Sequence, residues 1–375
     1  MPHLPSRQRI LTVLRGGKAD RTPWIPLCSG RFFSSLPEYR KFIVDGREAV
    51  GQEYTYDALR FRVEFYREIG ADYMEWGTPS GYRVVRSKVE VERTEEDGEV
   101  RTEYRTPIGS LTSVWVYSEE GHTYFPKKDL LERPDDFRVY EYIVEDTAYE
   151  PDYEDLEERL KVVGEDGVLF VWAPAPPLKD FLLGTMRLER AIFALADHPK
   201  QFGHLMDVVH RKNMELCEVL ADSPAQVFVD TAVTGTGMIS PDIFERYYLP
   251  YTREYAEVFH SRGKLYLNHA SGEPVRDILD LIRQSGIDGL YGLSYSSGMK
   301  LSEVRESLRD MVVMGGIDPN FIASSSPDEI EAWTKYVLED MAPADRFILG
   351  TADDVPYGTP VENLKAVSRV VEELG

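Results

Sequence analysis

Four short apolar runs in the second half of the chain each end on a residue able to move a proton or hold a cation. QVFVD ends on Asp230, KLYLNH on His269, MVVMGGID on Asp318 and RFILGTAD on Asp353, with Asp354 beside it. Imidazole titrates near neutral pH, so His269 suits a general acid or base and equally a metal ligand. Asp353 supplies a carboxylate for either task. Asn268 precedes the histidine and Glu273 follows it, so that His269, Asp353 and Glu273 form a candidate ligand set for a divalent ion. Asp230 leads into TAVTGTG, whose glycines would let a ligand approach the backbone. Arg31 follows a glycine just beyond WIPLC and is the candidate anion anchor. Glu75 in MEWG and Trp172 in VWAPAPP are candidate pocket walls. At Asp318, in GGIDP, a substrate contact competes with a turn-capping role before the proline.

These residues need strands to carry them. Runs this short, apolar almost throughout, read as strands buried on both faces, and amphipathic segments between them demand parallel crossovers. The full set is Trp24–Cys28, Ala71–Trp76, Gly167–Ala173, Gln226–Asp230, Lys264–His269, Asp288–Tyr295, Met311–Asp318 and Arg346–Asp353. Eight such strands alternating with helices predict an α/β chain folded as one (β/α)8 TIM barrel over residues 1–375. In that fold the chemistry lies at the carboxyl ends of the strands, where these polar residues fall. Ser240-Pro241, Ser326-Pro327-Asp328-Glu329 and Thr359-Pro360-Val361-Glu362 mark helix starts. Between the second and third strands, alternation around Asp97-Gly98 predicts an antiparallel β-hairpin region inserted at about 82–127, suited to a lid, a homodimer contact or a solvated decoration. The acidic stretch 133–160 reads as a linker with a helix.

Composition narrows the partners. A net charge of −22 opposes nucleic acid and anionic membrane surfaces, which attract positive fields. Cys28 and Cys217 stand in unrelated contexts, so neither a disulfide framework nor a thiolate-rich zinc site is expected. No apolar run approaches the ~20 residues of a membrane span, and a cytoplasmic location is the expectation. TGTG at Thr234–Gly237 is too short for a phosphate-binding fingerprint.

Several longer stretches resemble the uroporphyrinogen decarboxylase family, which also contains corrinoid-dependent methyltransferases. They are RQRILTVLRGGKADRTPWIP, VFVDTAVTGTGMISPDIFERYYLPYTREYAEVFHSRG, GGIDP at Gly315–Pro319 and DVPYGTPVENLKAV. Against the decarboxylase pattern, Arg31 matches the second of two carboxylate-binding arginines and Leu27 replaces the first. Glu75 is the nearest acid to that pattern's second-strand aspartate, and Asp353 stands where its last strand carries histidine. Against the thiol-methylating members, His269-Ala270-Ser271 has serine for the first zinc-binding cysteine, and Asp353 replaces the second. The resemblance therefore implies a methyltransferase moving a methyl group between a small methylated compound or acceptor and a corrinoid, free or on a partner protein. The alternative is a carboxy-lyase acting on a porphyrinogen or a smaller carboxylated substrate. A third class is a non-catalytic barrel that binds such a ligand. In the methyltransferase reading His269, Asp353 and Asp230 carry the chemistry, with Arg31, Glu75, Trp172, Asn268 and Asp318 around the substrate; a divalent metal such as zinc would lack thiolate ligands.

Overall fold

The computed structural model describes residues 3–43, 55–78, 81–118, 123–230 and 234–374. Its strands are β1 (Trp24–Ile25), β2 (Tyr73–Thr78), β3 (Tyr82–Arg86), β4 (Glu90–Glu96), β5 (Glu99–Thr106), β6 (Gly109–Ser118) and β7 (Thr123–Lys128). They continue as β8 (Thr147–Pro151), β9 (Gly167–Ala173), β10 (Val227–Asp230), β11 (Leu265–His269), β12 (Gly289–Leu293), β13 (Val312–Ile317) and β14 (Phe347–Thr351). Eight of them pair in parallel in the order β1-β14-β13-β12-β11-β10-β9-β2. The two ends of that sheet meet where Asp72 N–H donates to the Trp24 carbonyl at 2.7 Å. The sheet is thus a nearly closed barrel, as the eight runs predict.

Side chains alternate between the two faces of each strand. One set, including Leu27, Met74, Phe170, Val229, Leu267, Tyr291 and Met314, packs inside the barrel against Ile10, Leu11 and Leu14 of the helix Ser6–Leu14. That helix closes the amino end of the barrel. It is tied there by buried Arg9, whose guanidinium pairs with Asp20 at 2.8 Å and Asp72 at 2.5 Å. The other set, including Phe228, Tyr266, Leu290 and Val313, packs outward under the surrounding helices. Ser326 and Glu329 complete the expected capping box, and Ser240 caps Pro241–Tyr247. At the third expected box the Thr359 hydroxyl donates to Pro356 O at 2.9 Å, and the helix starts at Val361.

The insertion is larger than a hairpin. Around the Asp97-Gly98 turn, β4 to β7 form a four-stranded antiparallel sheet, while β3 pairs antiparallel with β8. The stretch 133–160, expected as a linker with a helix, holds the helix Asp136–Glu145, then β8, and the start of a second helix, Glu154–Val163. Among the described residues no helix is long and apolar enough to cross a membrane.

Candidate active site

The end of β14 is a hub for three polar contacts at the barrel's carboxyl mouth. Ala352 O accepts a hydrogen bond from the His269 imidazole at the end of β11. Asp353 Oδ2 accepts from Ser271 Oγ at 2.6 Å, and its Oδ1 accepts from Asp354 N at 2.7 Å. Asp354 in turn accepts from Ser29 Oγ at 2.6 Å and Ser29 N at 3.0 Å. Ser29 also caps the short helix Gly30–Ser34 by accepting from Arg31 N, which places Arg31 beside Asp354. Three successive residues of one strand end thereby reach the ends of both β11 and β1.

Burial and charge set the protonation of this hub. Desolvation pushes the Asp354 carboxyl up to about 6, aided by Asp353 and opposed by Ser29 and Arg31. Desolvation also holds His269 below its ordinary value, against the pull of Asp353 and Ala352, and the charge of Lys179 lowers it further. The ring of His269 stacks on inward-facing Tyr291 with centroids 5.0 Å apart and planes 23° from parallel. Burial, and then both aspartates, keep the Tyr291 phenol well above its usual range. An imidazole kept neutral beside the Asp353 carboxylate can accept a proton and give it back. Among the described residues, Arg31 Nε is buried without a hydrogen-bond partner, so the guanidinium keeps donor capacity for an anion.

Of the expected site residues, the structure brings His269, Asp353 and Arg31 together. Trp172, two positions beyond inward-facing Phe170, stands at the rim with 38% of its surface exposed. The rest lie elsewhere. Asp230 is fully buried on the outward face of β10, with Tyr266 OH 3.4 Å from its carboxylate. Asn268 is in register with Asp230 and shares that face. Glu75 faces outward too, bound by Arg62 at 3.1 Å and by the Tyr73 hydroxyl. Asp318 caps the helix Pro319–Ser324, accepting from Asn320 N and Phe321 N, the capping role that competed in the sequence.

The candidate metal set does not assemble. Glu273 lies across Gly235 and Gly237, where any β-carbon would overlap its side chain. Its loop is stapled there by Thr236 N to Pro274 O at 2.8 Å. Among the described residues no three His, Cys, Asp or Glu side chains are arranged to hold a metal ion. The glycines of TGTG thus make room for Glu273. Thr231, Ala232 and Val233 of the same loop fall outside the described residues.

Sequence reasoning missed Ser29, Lys179 and Tyr291. A serine before Gly-Arg is a cap signal, and a bulky strand residue followed by glycine signals close approach of another group. Lys179 carries no such local sign.

Residues 182–374 match a family model described as uroporphyrinogen decarboxylase. The uroporphyrinogen decarboxylase of Citrifermentans bemidjiense is 28% identical over 193 residues, 50% of this chain and 52% of that protein. The chain thus spans about half the length of that relative. The Geobacter metallireducens protein of the same name is 23% identical over 364 residues, 95% of each chain. Among solved structures, a methyltransferase from Methanosarcina mazei superposes with a TM-score of 0.63 at 15% identity, covering 99% of both chains. With its barrel, its motifs and half its length agreeing, the chain belongs to the uroporphyrinogen decarboxylase family.

Proposed function

We propose that this family member is a methyltransferase that uses a corrinoid, free or protein-bound, as the other methyl carrier. The observation that carries this reading is Leu27. Where the decarboxylase pattern has its first carboxylate-binding arginine, this chain has an inward-facing leucine that is 4% exposed and packed in the barrel's apolar interior. A porphyrinogen with eight carboxylates needs cations, and each lost charge-assisted contact costs about 1.5–3 kcal/mol. Arg31 and Lys179 suit a substrate with one or two anionic groups. The whole-chain likeness to a Methanosarcina methyltransferase agrees with this reading. Exposed Trp172, Leu183 and Tyr357 follow or end β9 and β14 at the same end of the barrel and offer a bulky carrier an apolar rim.

The corrinoid supplies or takes up the methyl group. The chain's own residues manage the proton. When a heteroatom loses its methyl group it keeps the bonding electron pair and must gain a proton; when it is methylated it gives one up. His269 takes or returns that proton, and Asp353 stabilises the imidazolium. Arg31 holds a carboxylate of the substrate. No step is assigned to a metal, because the candidate ligands do not converge.

Paired tryptophan-quenching titrations with methylcobalamin and with a uroporphyrin, corrected for ligand absorbance, test the reading. Saturable binding of the corrinoid alone is expected. Saturable binding of the porphyrin alone would return the site to decarboxylation. His269→Ala and Asp353→Ala should each abolish methyl transfer with the fold retained, and full activity in both would overturn the assignment of roles.

A further inference from the structure

Ser271 holds a backbone conformation that its side chain disfavours. Its φ is +52°, Gly272 follows with +74°, and Glu273 N donates to Ala270 O at 2.9 Å. Two positive φ angles closed by such a bond describe a type I′ turn, whose first central position favours asparagine, aspartate or glycine. The Asp97-Gly98 turn of the inserted sheet, with φ +49° and +77°, follows that preference. At Ser271 the surroundings impose the conformation instead. Ala270 N donates to Tyr291 O at 2.6 Å and Gly272 N to Gly292 O at 2.7 Å, so the turn is tied on both sides to the end of β12. What the serine brings is a hydroxyl of the right reach. Its Oγ donates to Asp353 Oδ2 at 2.6 Å, joining the loops after β11 and β14, two strands that β12 and β13 separate in the sheet.

We infer that Ser271 is a positioning residue, held in the left-handed conformation so that its hydroxyl fixes the Asp353 carboxylate towards the loop that follows His269. This rests on the reading of Asp353 as the partner of His269 in methyl transfer and names the group that aims it. Asp354 N holds Asp353 Oδ1 from within the same strand end, at 2.7 Å. Ser271 holds Oδ2 from the histidine's own loop. Without the hydroxyl, a half-buried carboxylate keeps one anchor and is free to swing towards water, which weakens its hold on the imidazolium. Arg31 is untouched by the change, so substrate binding should alter little.

A pair of substitutions in the full chain separates the hydroxyl from the backbone. Ser271→Ala and Ser271→Gly both remove the hydroxyl, but only glycine accepts φ +52° without strain. Ser271→Gly should therefore have the higher Tm of the two. Both should lower kcat by a similar factor, about ten- to a hundredfold, with KM within about twofold of native. Ser271→Asn, which tolerates the left-handed conformation and keeps a donor, should recover part of kcat. Urea midpoints need no substrate: the shifts of Ser271→Ala and Asp353→Ala should fall short of adding in the double variant, because both remove the same bond. Additive midpoint shifts overturn the inference, as does Ser271→Ala at least as stable as Ser271→Gly. Native kcat in both Ser271 variants while Asp353→Ala is inactive overturns it too. Native turnover in Asp353→Ala would instead sink the catalytic reading, with coupled midpoints leaving the hydroxyl–carboxylate bond standing.

Discussion

Two neighbouring carboxylates at the end of β14 meet different partners, Ser271 for Asp353 and Ser29 for Asp354, and Asp354 is pushed up to about 6. An acid with a raised folded pKa favours folding only while protonated. Its contribution is full below the ordinary value of 3.8 and is lost as pH rises through about 6. Asp354→Asn should therefore be more stable than the native protein at pH 8, by about 1–3 kcal/mol, with the gap closing towards pH 4. Urea unfolding at the two pH values measures it; a gap that widens towards acid would mean that Ser29 and Arg31 keep the carboxylate ionised. For His269 the sign is opposite, since its lowered pKa favours the neutral ring, whose benefit is present above 6.5 and falls as pH drops through the folded value. Turnover should accordingly persist somewhat below pH 6.5 before its acid limb, as a pH–rate profile would show. His269, Asp353 and Arg31 were legible in the sequence because each ends or follows a strand. Lys179 was not, because it approaches His269 only through the path of the loop after β9.

The same apolar runs that revealed the strands concealed their faces. A strand buried on both sides shows no alternation, so nothing in VFVD or LYLNH tells which way the last residue points. Inward Leu267 and outward Tyr266 settle it, putting His269 inside and Asn268 outside, with Asp230 following Asn268 by register. Glu75 went astray for the same reason. It belongs to a buried network in which Arg62 bonds Glu75 at 3.1 Å and Tyr39 OH at 2.7 Å, beneath the rings of Phe33 and Tyr39. Removing one member of a buried ion pair strands the other charge. Glu75→Gln and Arg62→Met should each cost about 3–5 kcal/mol in stability while leaving kcat of the folded fraction within a few-fold of native. Melting curves combined with rates per folded molecule separate the two effects. Loss of kcat without loss of stability would restore Glu75 as a substrate contact.

At the scale of the molecule, the barrel and the inserted sheet can be weighed against each other. The insertion leaves the barrel between β2 and β9, two strands that pair directly, so the barrel's hydrogen bonding does not run through it. All seven residues of β4 are exposed, and the sheet's buried contribution comes from a few residues such as Val100 and Leu111, close to the helix Asp136–Glu145. At about 1.5–3 kcal/mol for each large apolar side chain, excising it should cost about 3–6 kcal/mol. The barrel's own core is far larger, and its base is held by Arg9 between Asp20 and Asp72. A chain with residues 88–130 replaced by a short Gly/Ser linker should therefore remain folded and unfold cooperatively at a lower Tm. Circular dichroism and urea unfolding check this. A soluble product without a cooperative transition would mean that the inserted sheet is part of the barrel's folding unit, and that a (β/α)8 reading of the eight strands alone leaves out a piece the fold requires.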